Sequence, residues 1–267
     1  MTTTTSRISL PGGATADVAV TEVGAGHPVL LLHGGGGPLT VTPWAEHLAG
    51  SRPARVLTPV HPGFGGTPRP EALTSVRDLA AGYVALLEAL DVHDVTVVGN
   101  SVGGWIAAEM SALGTARVSS YVLVDAVGID VPGHPVADFF SLTPGELARL
   151  SWADPTGRVL DPAALPPEAR AVMAGNRAAL EVYAGRAMTD PTLAGRLGAV
   201  GAPVLVVWGE ADRIVDPTYG RAYAAAVPGA QFELLSSAGH LPQLETPDAL
   251  VDVVWDFADR HATLPGA

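Results

Sequence analysis

Short runs rich in valine and leucine alternate along this chain with longer stretches whose apolar residues recur every third or fourth position. The first pattern marks strands buried on both faces, the second amphipathic helices. Strands are predicted at Pro28–Leu32, Arg55–Val60, Val95–Val98, Val118–Val124, Pro203–Trp208 and Gln231–Leu235, with Pro28–Leu32, Val95–Val98 and Pro203–Trp208 read as buried. Ahead of them, Arg7–Leu10 and Ala16–Val23 flank Pro11, Gly12 and Gly13, which predicts an opening antiparallel hairpin. Helices are predicted at Thr42–Leu48, with Thr42 as N-cap and Pro43 at the first position, at Ser75–Leu90 and at Val102–Leu113. Another is capped by Asp216 and Pro217 and runs to about Val227. The last starts at Thr246, Pro247 and Asp248 and carries Leu250, Val253, Val254 and Phe257 on one face. Alternation of this kind implies one mostly parallel, twisted sheet with helices on both faces.

The alternation stops after the sixth strand. From Ala126 to about Val200 the buried-strand runs disappear and prolines 132, 135, 144, 155 and 162 punctuate short helical pieces. Thr143, Pro144 and Glu146 form a capped helix start, and Pro166–Met188 holds a longer helical pattern. The expectation is a single domain: a core of residues 1–126 and 201–267, with a helical lid, residues 127–200, inserted in it. Phe139, Phe140, Leu147, Trp152, Met173, Leu180, Tyr183 and Met188 are the bulky apolar residues available there to wall a pocket. Arg170, Arg177 and Arg186 border the apolar face of the longer helix, where arginines lay their stems on apolar surface and keep the charge in water.

At 267 residues the chain is long enough for one large core, and 48% hydrophobic residues with a mean hydropathy of +0.29 exclude a disordered chain. A net charge of −12 argues against nucleic acid or an anionic membrane surface as partner. There is no cysteine, hence no disulfide or thiol nucleophile. The start of the chain lacks the apolar core of a signal peptide, and no apolar run approaches the roughly 20 residues of a membrane span. A cytoplasmic protein is expected, with a small molecule and water as partners and a homo-oligomer left open. No metal-ligand spacing is present, and no cofactor is called for.

Candidate chemistry gathers where the predicted strands end. Gly99, Asn100, Ser101, Val102 and Gly103 form a G-x-S-x-G pattern between strand and helix. Such an elbow strains the serine backbone and needs residues without side chains two before and two after it. It raises the Ser101 hydroxyl above the sheet and aims the Val102 N–H, at the start of a helix, toward a developing oxyanion. His33 is followed by Gly34, Gly35, Gly36 and Gly37, whose backbone can approach a ligand closely; no Lys-Ser/Thr follows, so this is not a phosphate loop. A serine hydroxyl needs an imidazole base, and that base needs a carboxylate to hold its tautomer. Asp212 and His240 follow successive strands at the edge where Ser101 emerges, which completes the order Ser, Asp, His. Asp125 ends another strand at this edge and is the alternative acid. His33 and His61 read as structural hydrogen-bonding residues, Asp216 as a helix cap and Glu210 as a solvated turn residue.

The segments HGGGG at 33–37, GNSVGG at 99–104, WGEADRIV at 208–215 and GHLPQLETP at 239–247 resemble the α/β-hydrolase fold superfamily over nearly the whole chain. The resemblance implies Gly35 as second oxyanion donor, with Gly36 its neighbouring alternative, and a serine hydrolase acting on a carboxylic ester or related acyl compound. It also leaves open a carbon–carbon bond hydrolase of the meta-cleavage product type. Those enzymes commonly carry tryptophan after the histidine, where this chain has Leu241. A cofactor-free perhydrolase or haloperoxidase and a non-catalytic binding member of the fold are further alternatives. Dehalogenases and epoxide hydrolases of this fold are disfavoured, because their elbow nucleophile is aspartate.

Overall fold

A computed structural model describes residues 1–262 of the chain. The strands are β1 (Thr2–Ser9), β2 (Thr15–Gly24), β3 (His27–Leu32), β4 (Ala54–Pro59), β5 (Val95–Asn100), β6 (Val118–Val124), β7 (Val204–Gly209) and β8 (Gln231–Leu235). They form one sheet in the order β1-β2-β4-β3-β5-β6-β7-β8. β2 runs antiparallel to β1 and to β4, and every pair from β4 to β8 is parallel. The hairpin β1–β2 is longer than predicted, since Thr2 already pairs with Glu22. Its first four threonines are exposed, so they show no apolar alternation, although β-branched residues suit an edge strand.

The helices are α1 (Thr42–Ser51), α2 (Val76–Ala89), α3 (Val102–Leu113), α4 (Pro144–Ser151), α5 (Pro167–Ala184), α6 (Leu193–Leu197), α7 (Pro217–Ala226), α8 (Pro242–Glu245) and α9 (Pro247–His261). Period-two alternation along the central strands divides the interior into two cores. Leu30, Leu32, Val95, Val97, Tyr121, Leu123, Val204 and Val206 face the core filled by α2, α3 and α7. Their neighbours Val29, Leu31, Val98, Val122, Val124, Leu205 and Val207 face Trp44 and Leu48 of α1 and Leu250, Val254 and Phe257 of α9. Strands apolar on both faces are what helices on both faces require.

Two helix ends differ from expectation. Val41, not Thr42, is the N-cap of α1, and the Thr42 hydroxyl donates to the Pro38 carbonyl at 3.0 Å. α5 stops at Ala184 rather than reaching Met188, because Gly185 turns the chain into the left-handed region at φ 63°. α4 and α2 begin with full capping boxes, Thr143 with Glu146 and Ser75 with Asp78. Between β6 and β7 the described chain adds no strand to the sheet, and α4, α5 and α6 occupy that segment.

Candidate active site

Ser101 follows β5 and precedes α3 with φ 57° and ψ −118°, a conformation that non-glycine residues seldom adopt. The turn is possible because the backbone packs against itself on both sides of it. A Cβ on Gly99 would lie 2.1 Å from the Gly103 carbonyl oxygen, and one on Gly103 would lie 2.2 Å from that of Leu32. The Ser101 N–H donates to the Val124 carbonyl at 2.9 Å, which ties the elbow to β6.

Three side chains from three strand ends meet here. Ser101 Oγ stands 2.9 Å from His240 Nε2, and His240 Nδ1 stands 2.8 Å from Asp212 Oδ2. With an ionised carboxylate as neighbour, Nδ1 carries the proton and donates it to Asp212, so Nε2 accepts the Ser101 hydroxyl hydrogen. Asp212 Oδ1 accepts the Ile214 and Val215 N–H groups at 2.8 and 3.2 Å. All three residues are buried. Asp125 is also buried at this edge, but its Oδ1 accepts the Gly209 N–H at 2.8 Å, and the carboxylate on His240 is that of Asp212.

Val102 opens α3, where the first N–H groups of a helix have no intrahelical acceptor. The N–H groups of Gly35 and Gly36 have no acceptor among the described residues. A Cβ on the adjoining Gly34 would lie 3.2 Å from Ser101 Cβ, which brings this loop against the serine. His33 and His61 brace the loop from below, both fully buried, with ring centroids 3.6 Å apart. His33 Nε2 accepts the His61 N–H at 3.1 Å, so its proton is on Nδ1 and donates to the Gly34 carbonyl at 2.8 Å. His61 Nε2–H donates to the His33 carbonyl at 2.8 Å, and its Nδ1 accepts the Tyr83 hydroxyl. Burial lowers His33 to about 4 and His61 well below the ordinary imidazole range. Both therefore stay neutral and structural. Asp216 caps α7 through the Thr218 and Tyr219 N–H groups.

A cavity of about 130 Å³ opens over the serine. Phe139, Leu147, Leu180 and Met188 from the β6–β7 segment line it, together with Ile214 and Leu241. No lysine or arginine is among its lining residues. Arg177 instead donates to the Phe139 and Phe140 carbonyls and lies over both rings. Arg186 pairs with Glu181 at 3.3 Å. Of the other bulky residues singled out in this segment, Tyr183 donates to the Pro62 carbonyl at 2.9 Å, and Trp152 stacks under Arg158.

Several supporting residues escaped the sequence reading. Asn100 Nδ2 donates to the His240 carbonyl at 3.0 Å, and its Oδ1 accepts from Gln243 Nε2 at 3.2 Å. Glu245 Oε1 accepts the Ala153 N–H and Oε2 the Gly239 N–H, at 2.8 and 2.6 Å. The His240 N–H donates to the Ser151 carbonyl at 2.7 Å, and the Arg213 N–H to that of Leu150 at 3.1 Å. The carboxyl end of α4 is thus bonded to both loops that carry Asp212 and His240. Only the position of Asn100 inside the elbow, and of Glu245 shortly after His240, hints at these tethers in the sequence.

Comparison with known proteins agrees with this architecture. The chain is 29% identical over 262 residues to an uncharacterized protein of Mycobacterium tuberculosis, covering 88% of this chain and 76% of that protein. It is 29% identical over 253 residues to a 2-hydroxymuconate semialdehyde hydrolase of Pseudomonas sp. strain CF600, covering 88% of each. Among solved structures, a thermophilic esterase from Thermogutta terrifontis superposes with a TM-score of 0.78 at 22% identity, over 98% of this chain and 100% of that one. Residues 29–253 match the model of the alpha/beta hydrolase family, and the chain belongs to that family.

Proposed function

We propose that the protein is a serine hydrolase that cleaves neutral carboxylic esters of short acyl chains. The observation that carries this reading is the hydrogen-bonded run Ser101–His240–Asp212 at the floor of an apolar cavity without a cationic lining residue. The β6–β7 segment, residues 127–200, serves as the lid that supplies the apolar wall.

In this scheme the Ser101 oxygen attacks the ester carbonyl carbon while its proton passes to His240 Nε2. Asp212 holds the resulting imidazolium through Nδ1–H, and the Val102 and Gly35 N–H groups, with Gly36 as neighbour, receive the oxyanion. Nε2–H then protonates the departing alkoxide oxygen, which leaves an acyl-serine. Water attacks the acyl carbon, gives its proton to Nε2, and the acid leaves as the Ser101 oxygen regains that proton.

Carbon–carbon bond hydrolysis is the second reading, favoured by the likeness to the semialdehyde hydrolase, whose named substrate carries a carboxylate. A buried carboxylate calls for a charge-assisted donor, and Arg177 and Arg186 are engaged outside the cavity. A cavity of about 130 Å³ is close to one that holds a benzene-sized molecule. The test is kcat/KM for nitrophenyl esters from acetate to decanoate, beside a 2-hydroxy-6-oxo-dienoate. The expected result is a rise of roughly fourfold per methylene up to about butyrate or hexanoate, followed by a fall. Turnover of the dienoate above every ester, abolished by Arg177→Ala or Arg186→Ala, would overturn the ester assignment.

A further inference from the structure

One carboxyl group at this sheet edge has no part in the scheme above. Asp125 follows β6, is fully buried, and takes a φ of 45°. Its N–H donates to the Val207 carbonyl at 3.0 Å, and its Oδ1 accepts the Gly209 N–H at 2.8 Å. The Gly209 carbonyl accepts the Asp212 N–H at 3.2 Å, so one turn after β7 holds both acids. The Asp212 carboxyl is near enough for its charge to act on that of Asp125. Asp125 Oδ2 is buried and has no conventional donor facing it among the described residues.

Two neighbouring carboxyl groups out of water cannot both be ionised at low cost, so one keeps a proton. The donors around them decide which. Asp212 accepts three N–H groups, from Ile214, Val215 and His240, whereas Asp125 accepts one, from Gly209. Charge-stabilising hydrogen bonds therefore place the negative charge on Asp212. Burial first, and then the neighbouring Asp212 charge, push Asp125 well above the usual carboxylate range. Glu245 on α8 adds negative charge from a further element, and His240 faces Asp212 from the loop after β8.

We infer that Asp125 is held as a neutral acid whose Oδ2–H donates to the Asp212 carboxylate, making it a positioning residue behind Ser101–His240–Asp212. The inference rests on the proposed roles of those three residues. A donor on the far side of Asp212 restrains its rotation and takes up part of its charge. It thereby sets how strongly Asp212 holds the His240 imidazolium. An ionised Asp125 would do the opposite, adding a second negative charge behind the base.

The test compares wild type, Asp125→Asn and Asp125→Leu by the NMR titration of the His240 ring, alongside the pH profile of kcat/KM for a butyrate ester. In Asp125→Asn the side-chain amide keeps both bonds, accepting from Gly209 and donating to Asp212. The His240 midpoint should stay in place, and the variant should rescue most of the turnover lost in Asp125→Leu. In Asp125→Leu the lost donor leaves Asp212 with more charge, so the His240 midpoint should rise by about half a pH unit or more, and the acidic limb with it. A fall of the midpoint in Asp125→Asn would overturn the inference, since it would mean that a negative charge had been removed. An unmoved midpoint in Asp125→Leu would also overturn it and leave Asp125 a packing residue. Should Asp125→Leu fail to fold, the infrared difference between wild type and Asp125→Asn decides. A lost protonated-carboxyl band supports the inference, and a lost carboxylate band refutes it. The NMR and infrared readouts need no turnover, so failure of the ester assignment would be seen separately.

Discussion

At His33 a single buried ring links the glycine loop to pH. The imidazole is neutral in the folded chain, and burial lowers it to about 4, against 6.5 in a solvated chain. Above 6.5 neither state binds a proton. As pH falls below 6.5 the unfolded chain takes one up and the folded chain refuses it until about 4, so stability is lost across that window. For one such group the loss amounts to about 3 kcal/mol at the low end. His33→Gln, which cannot titrate, isolates it. Denaturant unfolding of both proteins should show the wild-type advantage at pH 7 shrinking steadily toward pH 4.5. An advantage that stays constant would mean that the ring titrates alike in the folded and unfolded chains. The same scale holds most of what the sequence did not reveal. Asn100 touches His240 from 140 positions away, and Glu245 reaches Ala153 from 92 away. No local pattern records such distances.

Among the elements, α3 and α5 place the glycine argument at opposite extremes. A Cβ on Gly103 would strike the carbonyl oxygens of Leu32 and His33 at 2.2 and 2.7 Å, and backbone on both sides cannot move aside. Gly103→Ala should lose about 2–3 kcal/mol or more, with Tm down by roughly 5–10 °C. Gly175 sits exposed in the middle of α5, with nothing within 4 Å of an added Cβ. Gly175→Ala should raise stability by up to about 1 kcal/mol through helix propensity. Calorimetry of the two variants checks both signs, and a Gly103→Ala protein as stable as wild type would contradict the elbow geometry. Element boundaries were legible where punctuation is local. Val102–Leu113 and Gln231–Leu235 match, since turn residues bracket their apolar positions. The Thr2–Thr5 strand and the early stop of α5 were missed, the first because nothing alternates there. The second was missed because Gly185 interrupts a helical pattern that runs on to Met188.

Across the whole molecule, legibility follows how each residue is delivered. Strands apolar on both faces required a helix-covered parallel sheet, and a parallel sheet brings its strand ends to one edge. Ser101, Asp212 and His240 each follow such an end, so their meeting could be anticipated from that placement. The wall of the cavity could not, because the β6–β7 segment has no strand register to place it. Of the eight bulky residues picked out there, Phe139, Leu147, Leu180 and Met188 line the cavity. The central claim is that this arrangement makes Ser101 a nucleophile. It is tested most directly by treating folded protein with a fluorophosphonate and locating the adduct by peptide mass spectrometry. The account predicts one adduct, on Ser101, absent from Ser101→Ala, with ester turnover in that variant down by about 10⁴ or more. An unlabelled Ser101 in folded wild-type protein, or undiminished turnover in Ser101→Ala, would contradict it.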